Sequence, residues 1–327
     1  MQTSHTIVLS PEQQETLIRV LREGNYRPLT VPYTRIAVET AECKIALYQS
    51  GKCVAQGKGA TDFVTFVLEP LVLGAARLGY EDVLDPEATR PHMGVDESGK
   101  GDFFGPMVIS AAYVDPVLAE DMRALGVRDS KKISSDKVAL DMARELRRML
   151  GARFSLVAVG PAAYNRLYAK MRSVNALLSW GHARAIENLL AAVPDCPRAI
   201  SDQFGNPAQV RRALMGRGRG IELVQRHRAE SDLAVAAASV LARAGFLQAL
   251  KRLEEQYGQP FLKGASAEVR KAAERLVRAR GERVLLETAK CHFRTTDQVL
   301  AAVGKSRAAL GPEGAAVSRA AREPKSP

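Results

Sequence analysis

The sequence of 327 residues has little of what disulfide-rich, zinc-stabilised or secreted proteins need. Its four cysteines form no CxxC pair and no Cys/His spacing typical of a zinc site, and we interpret them as small buried apolar residues. The first residues lack the basic-then-apolar pattern of a secretory signal. We therefore expect a reduced, cytoplasmic protein. The cysteines are Cys43, Cys53, Cys196 and Cys291.

Long apolar runs and phosphate-binding loops are also scarce. The apolar stretch from Leu233 to Leu250 is interrupted by Arg243, and it is too short and polar for a predicted membrane span, so we expect no membrane partner. The segment GKGDFFG does not fit GxxxxGK[ST], and Gly304-Lys305-Ser306 has Val299 where the first glycine belongs. A nucleotide triphosphatase is therefore disfavoured.

Positive charge is abundant and unevenly distributed. The chain has 47 Lys and Arg against 36 Asp and Glu, a net charge of +11. Residues 1–90 contain 9 basic and 11 acidic side chains (−2), whereas residues 91–327 contain 38 and 25 (+13). This asymmetry favours a polyanionic partner for the larger part of the chain. The alternative at this point is an ordinary basic protein that binds no polyanion.

The hydrophobic pattern predicts two domains. Residues 1–85 contain a helix with Ser10-Pro11 at its start, three short strands with a hairpin at 49–52, and a further helical pattern at 61–79. The polar stretch that follows contains the predicted linker, 86–92. Strands mixed with helices over 93–302 predict an α/β domain with helices on the faces of its sheet. Residues 303–327 lack periodicity and are predicted to be disordered.

The densest chemical signal is the segment DESGKGDFFGP, which begins with Asp96 and Glu97 at the end of a predicted strand. Successive side chains of a strand point to opposite faces, so both acids can serve one site only if the strand ends or distorts at Glu97. The glycines after them allow backbone N–H groups to approach an anion. The alternative is an acidic hairpin tip with ordinary turn glycines.

Further carboxylates follow at two other predicted element boundaries. Asp202 ends a short apolar run, and Glu230 and Asp232 precede an alanine-rich helix. Each could instead be a turn residue or a helix cap. Together with Asp96 and Glu97 they form a hard-oxygen donor set for Mg²⁺ or Mn²⁺. Two such ions about 4 Å apart are suited to the hydrolysis of phosphodiesters, which agrees with the basic surplus.

These motifs, in this order, resemble the type 2 ribonuclease H family, and within it the ribonuclease HIII proteins of bacteria. The resemblance covers about 90–295. Besides DESGKGDFFGP it rests on five elements: Val127–Lys132 (VRDSKK), Ser201–Phe204 (SDQF), Arg228–Arg243 with its AAS helix, Leu262–Ser266 (LKGAS) and Cys291–Phe293 (CHF).

The resemblance implies an RNase H-like fold, a mixed central sheet flanked by helices, and endonucleolytic cleavage of RNA in RNA–DNA hybrids that leaves 5′-phosphate and 3′-hydroxyl ends. It places a metal site on Asp96, Glu97, Asp202 and one further acid. In the related ribonuclease HII pattern that acid lies ten residues before the AAS serine, where this chain has Ala229. We favour Asp232, whose short side chain stands at a helix start, and Glu230 is the rival.

The same resemblance implies the substrate contacts. The turn of Ser98, Gly99, Lys100 and Gly101 would grip the backbone near the scissile phosphate and sense the 2′-hydroxyl, which distinguishes RNA from DNA. Ser130, Lys131 and Lys132 would contact phosphates. No obligate protein partner is implied, and we expect a monomer.

One departure from the family pattern and one further resemblance concern substrate choice. Ribonuclease HII proteins have a tyrosine that reads RNA–DNA junctions, where this chain has Ala265. Hybrid cleavage is therefore favoured over incision at single ribonucleotides, and a non-catalytic hybrid- or RNA-binding protein is the other alternative. The N-terminal unit resembles the small α+β, TATA-binding-protein-like domain of ribonuclease HIII, which implies hybrid binding. Its charge of −2 leaves that binding to local positive residues: Arg35, Lys44, Lys52 and Lys58.

Overall fold

The computed structural model describes residues 4–74, 90–127, 133, 135–202, 204, 208–226 and 229–317. Contacts within the chain divide it into two compact units, residues 1–87 and 88–327. The predicted linker, 86–92, spans this division, and its residues 86–89 lie outside the described ranges. Each unit has its own hydrophobic core.

The N-terminal unit is a five-stranded antiparallel sheet covered on one face by helices. The strands follow the order β1-β5-β4-β3-β2. Helix α1 begins as predicted, because Ser10 caps it and Gln13 completes the capping box. The elements are β1 (Ser4–Val8), α1 (Pro11–Glu23), β2 (Arg27–Pro28), β3 (Thr34–Glu39), β4 (Lys44–Tyr48), β5 (Lys52–Gln56) and α2 (Ala60–Phe63), which continues as a π-helix (Val64–Leu73).

This unit confirms the predicted hairpin and adds two strands that the pattern did not indicate. The hairpin joins β4 to β5 at Tyr48–Lys52. Strand β1 was missed because it pairs with the distant β5, and local sequence does not report such a partner. Of the helical pattern predicted at 61–79, residues 75–79 lie outside the described part. The likeness to a TATA-binding-protein domain stays a prediction.

The C-terminal unit has a five-stranded mixed sheet, which confirms the predicted α/β class. The strands are β6 (His92–Ser98), β7 (Met107–Val114), β8 (Phe154–Val159), β9 (Arg198–Asp202) and β10 (Glu222–Arg226). Their order is β10-β9-β6-β7-β8. β6, β9 and β10 run parallel, whereas β7 is antiparallel to both of its neighbours. Strand β10 was not predicted.

Helices cover both faces of this sheet. They are α3 (Pro116–Ala124), α4 (Asp136–Leu150), α5 (Pro161–Met171), α6 (Val174–Ala192), α7 (Ala208–Ala213), α8 (Leu233–Tyr257), α9 (Ala267–Arg280), α10 (Val284–Thr288), α11 (Arg294–Ala302) and α12 (Gly311–Ala315). Three short 3₁₀ turns lie at Gly218–Gly220, Ala229–Ser231 and Arg307–Leu310. Helices α5 and α6 enclose one core with β6 and β7, and α8 packs on the other face with α3 and α4.

Helix α8 packs unusually close to β6. A Cβ atom on Gly94 would lie 2.0 Å from the backbone nitrogen of Val235, so only glycine allows this approach. The alanines of α8 are buried there. The sequence predicted that this stretch is too short and polar to span a membrane, but by length and composition α8 could do so. However, 72 % of its most apolar window is buried inside the protein. Packing against the sheet accounts for its apolar character.

Part of the segment predicted to be disordered is folded. Arg307 donates hydrogen bonds to the carbonyl oxygens of Cys291, Phe293 and Gly314 and forms an ion pair with Asp297. Leu310 is buried in the core. The prediction therefore does not hold for residues 303–317, because the contacts of one partly buried arginine side chain hold a segment that has no local periodicity. Residues 318–327 lie outside the described part.

Candidate active site

Asp96 and Asp202 lie side by side on two parallel strands. Val95 of β6 pairs with Ser201 of β9, and the next residue of each strand is one of the two aspartates. Because neighbouring strands are about 4.8 Å apart, both carboxylates reach the same edge of the sheet. In open α/β sheets, this carboxyl edge is where functional groups gather. The structure thus brings together two acids that are more than 100 positions apart in the sequence.

Glu97 faces the other side of the sheet. Strand β6 stays regular up to Ser98, so the distortion expected at Glu97 does not occur. On one face Ser239 of α8 donates a hydrogen bond to Asp96. On the other face the Nε2 atom of His182 in α6 lies 3.1 Å from Glu97 Oε2. Both acids still line one pocket, because the pocket opens where the strand ends.

The two neighbouring carboxylates have pKa values displaced in opposite directions. Burial and the charge of Glu97 raise the pKa of Asp96 to about 6. Burial would also raise the pKa of Glu97, but the hydrogen bond and charge of His182, with the charge of Lys100, hold it below its ordinary value. The charged form of Asp96 is therefore opposed by its surroundings, and a bound cation would relieve that opposition.

The turn after β6 lines the same pocket. Gly99 has a φ of +86°, and a Cβ atom there would lie 2.3 Å from the carbonyl oxygen of Pro106, so the position requires glycine. At Gly101 nothing lies within 4 Å of the place of a Cβ atom. The missing side chain at Gly101 thus leaves the backbone open to a ligand. Between them, the Nζ atom of Lys100 lies 5.6 Å from the ring centre of Phe204.

Lys290 holds the segment that follows this turn. It is fully buried, and its Nζ atom donates to three consecutive carbonyl oxygens: Phe104 at 3.1 Å, Gly105 at 2.6 Å and Pro106 at 3.4 Å. Burial lowers the pKa of Lys290 to about 7, although the charge of Asp102 acts in the opposite direction. Lys290 therefore determines the path of the backbone between the glycine turn and β7.

A second connection joins the turn to the GAS element, residues 264–266. The backbone N–H of Gly264 donates to Asp102 Oδ1 at 2.5 Å, and the N–H of Phe103 donates to the carbonyl oxygen of Gly264 at 2.8 Å. The GAS element has Ala265 where ribonuclease HII proteins have the junction-reading tyrosine. This element therefore contacts the segment after the glycine turn directly.

Two basic side chains complete the lining. Arg243 and Lys263 each approach one oxygen of Asp136 at 2.7 Å, and Arg243 also donates to the carbonyl oxygen of Ile133. Burial would raise the pKa of Asp136, but these two cations lower it. The pocket is lined by Asp96, Glu97, Ser98, Gly99, Lys100, Gly101, Asp102, Ile133, Asp202, Ser239, Arg243, Phe246, Leu247 and Lys263. Ser130, Lys131 and Lys132 lie outside the described residues.

Asp232, predicted as the fourth metal ligand, is not among these residues. Both of its carboxylate oxygens lie 3.1 Å from Nε2 of His92, the first residue of β6. Its Oδ1 also accepts the backbone N–H groups of Ala234 and Val235 and so caps α8. His92 precedes Asp96 by four residues, about 13 Å along a strand. The structure therefore places Asp232 with the other end of β6, as a helix cap.

The environment of Asp232 satisfies its charge. Burial alone would raise the pKa of Asp232, but the hydrogen bond and charge of His92, the backbone of Val235 and the charge of Arg226 hold it below its ordinary value. The rival acid, Glu230, belongs to the 3₁₀ turn Ala229–Ser231, and its side chain lies outside the described part. This turn follows β10, whose last residue, Arg226, pairs with Asp202 at the pocket edge.

The donor set of the pocket fits a divalent cation. Oxygen ligands suit Mg²⁺ and Mn²⁺, and the pKa of Asp96 is raised by burial and by the nearby charge of Glu97. Asp202 makes no hydrogen bond or ion pair with another described residue, so its oxygens are available. No three His, Cys, Asp or Glu side chains of the described residues already form a cluster that could hold a metal ion. Asp96, Glu97 and Asp202 would therefore have to converge on the ion.

Comparison with known proteins agrees with this geometry. Residues 93–296 match the family model of ribonuclease HII. Proteins named ribonuclease HIII from Protochlamydia amoebophila and Chlamydia muridarum are each 39 % identical to the chain. The matches cover 89 % and 92 % of this chain and 95 % and 98 % of those proteins. The chain belongs to the ribonuclease HIII family.

A solved structure supports the same relationship. Bst-RNase HIII, crystallised in complex with Mn²⁺, superposes with a TM-score of 0.64 at 29 % identity. The alignment covers 92 % of this chain and 99 % of that one. The fold implied by the motifs, a mixed sheet flanked by helices after a small N-terminal β domain, is therefore confirmed.

Several residues of the site were not predicted from the sequence. His182 lies on the buried face of α6 and shows its role only through its contact with Glu97. Arg243 did give a signal, since it is a charge within an otherwise apolar stretch. Lys290 and Asp136 gave none, because their partners lie far away in the sequence.

Proposed function

We propose that the protein is a metal-dependent endonuclease that hydrolyses the RNA strand of RNA–DNA hybrids and leaves 5′-phosphate and 3′-hydroxyl ends. One observation carries the proposal: Asp96, Glu97 and Asp202 line one pocket with an open glycine turn and the cations Lys100, Arg243 and Lys263. Carboxylates that can share a metal ion, beside cations that can hold phosphates, are what phosphodiester hydrolysis requires.

Two Mg²⁺ or Mn²⁺ ions would be held by Asp96, Glu97, Asp202 and one more acid. When bound, such ions supply an activated water and stabilise the leaving oxygen. Within the chain, Ser239 orients Asp96 and His182 orients Glu97. The Mn²⁺ in the structure of Bst-RNase HIII supports this proposal.

For the fourth ligand we propose Glu230 in place of Asp232. The oxygens of Asp232 are occupied by His92 and two backbone N–H groups, and releasing them would uncap α8 and leave a buried histidine without its partner. Glu230 stands two residues earlier, in the 3₁₀ turn between β10 and α8, and it is the rival acid that the sequence already offered.

The substrate contacts implied by the family resemblance are also part of this proposal. The N–H groups of Gly99, Lys100 and Gly101, with Ser98, would hold the backbone around the scissile phosphate and sense the 2′-hydroxyl. The open space at Gly101 supports this role. Ser130, Lys131 and Lys132 would contact phosphates, and the neighbouring Ile133 does line the pocket.

For the N-terminal unit we propose hybrid binding with little electrostatic contribution. Of its four local cations, Arg35 is paired with Glu15 at 2.6 Å and Lys44 lies 3.9 Å from Glu39. Lys52 and Lys58 make no ion pair with another described residue. Such binding would depend mainly on polar contacts. We further propose a monomeric, cytoplasmic protein, and the four free, buried cysteines support a reducing compartment.

The test compares cleavage of a long RNA–DNA hybrid with cleavage of a duplex that contains one ribonucleotide, each with Mg²⁺ and with Mn²⁺. We expect faster cleavage of the hybrid, with 5′-phosphate products. Equal or faster incision at the single ribonucleotide would favour the ribonuclease HII-like alternative. Hybrid binding without cleavage under any metal would favour the non-catalytic alternative.

A further inference from the structure

A second basic surface lies away from the pocket, around the segment between α7 and β10. Residues 208–221 contain four arginines and no acidic residue. All four are exposed, and so is a fifth arginine on α6. None of the five forms an ion pair with another described residue. We call this group the arginine surface: Arg184, Arg211, Arg212, Arg217 and Arg219.

Hydrogen bonds to a buried acid hold the backbone of the loop that carries two of these arginines. The carboxylate of Glu187 accepts backbone N–H groups of Met215 at 2.7 Å, Arg217 at 3.2 Å and Gly218 at 2.9 Å. A Cβ atom at Gly218 would lie 2.8 Å from Glu187 Oε1, so glycine is required for this contact. This buried acid therefore bonds to the backbone of the loop, and no acid among the described residues pairs with the guanidinium groups.

The arginine surface surrounds two shallow hollows. Arg184 and Arg217 line one of them together with Glu187. Arg211, Arg212 and Arg219 line the other. A loop whose backbone is already held in place loses less conformational entropy when its arginines bind phosphates.

Helix α6 connects this surface to the catalytic pocket. Glu187 follows His182 by five residues, about 7.5 Å along the helix axis. His182 in turn contacts Glu97 in the pocket. Because a duplex carries one negative charge per about 1.7 Å of its axis, about four charges of a substrate fall within such a length.

We propose that the arginine surface is a second binding site for the sugar–phosphate backbone of the hybrid, outside the catalytic pocket. The inference rests on the proposed function. It predicts that the surface contributes affinity and salt dependence and does not take part in the chemical step.

The test measures hybrid affinity in an Asp96→Asn background, so that cleavage does not interfere. R211Q/R212Q/R217Q/R219Q should raise Kd at least about tenfold and lower the slope of log Kd against log salt by roughly 0.9 for each lost contact. The matched control is R252Q/R275Q/R280Q/R283Q, which removes the same charge from four exposed arginines elsewhere in this unit. Its Kd should change much less.

Variants at Glu187 distinguish a binding site that depends on the loop structure from attraction by net charge alone. E187Q makes the protein more positive, so attraction by net charge alone predicts tighter binding. If the hydrogen bonds between Glu187 and the loop backbone are lost, we expect weaker binding, with Kd raised by about threefold or more. G218A displaces the same carboxylate without any change of charge, and it should weaken binding in the same way. Circular dichroism and the cleavage rate of each variant with an intact Asp96 would show whether it is folded.

The outcomes distinguish this inference from the proposed function. Equal losses in the two quadruple variants, or tighter binding by E187Q together with unchanged binding by G218A, would overturn the second site while the parent protein still cleaves hybrids. If the parent protein neither binds nor cleaves the hybrid, the proposed function itself fails. Retained cleavage with selectively weakened binding in the arginine-surface variants supports both.

Discussion

One aspartate lies at each end of strand β6: Asp96 on the strand itself, and Asp232 at the start of α8, beside His92. The surroundings of the two acids differ. At the amino end, Asp232 is buried against His92 and backbone N–H groups that hold the pKa of Asp232 below its ordinary value. At the carboxyl end, burial and the nearby charge of Glu97 raise the pKa of Asp96 to about 6. The satisfied acid stabilises the fold, whereas the opposed acid faces a pocket that can take a cation. Proximity to α8 alone would not have separated these roles.

The largest effect should come from the carboxyl end. Asp96→Asn should reduce hybrid cleavage on the order of 10³-fold or more, because it removes a proposed metal ligand, while hybrid affinity stays within a few fold. Rates and anisotropy binding curves at saturating Mn²⁺ measure both quantities. Asp141→Asn, a change of a half-exposed acid that pairs with Arg144 on α4, is the control. Cleavage that survives in Asp96→Asn would refute the metal-site assignment.

Glu230→Gln and Asp232→Asn test the comparison directly. Glu230→Gln should lower cleavage on the order of 10²-fold with little change in unfolding temperature. Asp232→Asn should mainly destabilise the protein, by about 1–3 kcal/mol, because it weakens the cap and the bond to His92. If Asp232→Asn is the variant that loses cleavage at unchanged stability, the fourth ligand is Asp232 as the sequence suggested.

The pH dependence of the Asp232 effect has a defined sign. A carboxyl group with a lowered folded pKa stabilises the protein above its unfolded pKa, about 3.9, and this stabilisation is lost as the pH falls through the folded value. The difference in unfolding free energy between wild type and Asp232→Asn should therefore be full at pH 7 and shrink below about pH 4. A difference that grows on acidification would contradict the assignment.

Lys290→Met should have an intermediate effect at the carboxyl end. It leaves three backbone carbonyl oxygens without their donor and allows the segment after the glycine turn to move, so kcat/KM should fall by roughly tenfold. Leu300→Ala, a change in the same apolar core that does not touch the turn, is the matched control. An equal loss of activity at an equal loss of unfolding temperature would mean that Lys290 acts through stability alone.

The smallest expected effect is a gain of stability. In metal-free protein at pH 7, Asp96→Asn should raise the unfolding temperature by a few degrees, because it removes a charge that the fold opposes. A carboxyl group with a raised folded pKa favours the folded state at low pH, and this advantage is lost as the pH rises through about 6. The gain should therefore disappear near pH 4, and thermal melts with a chelator at both pH values measure it.

Prediction from sequence succeeded where the signal is local. The start of α1 at Ser10, the hairpin of β4 and β5, and the mixed α/β class of the C-terminal unit follow from residues close together in the chain. It failed where the partner is remote: β1 depends on β5, and the segment after Gly304 is ordered through the bonds of Arg307. The regular course of β6 through Glu97 is a third case, because helices on opposite faces each supply one partner.

The sequence by itself determined the family, the mixed α/β class, and the acids Asp96, Glu97 and Asp202 as candidates, because motif order and charge are properties of the chain. Only the tertiary structure decided what surrounds each acid. Asp232 and Asp202 look equally suitable in the sequence, but one is enclosed by His92 and the other is left open at the edge of the pocket. The physical reason is that hydrogen bonds and desolvation, which decide whether a carboxylate can bind a cation, come from residues that are distant in the chain.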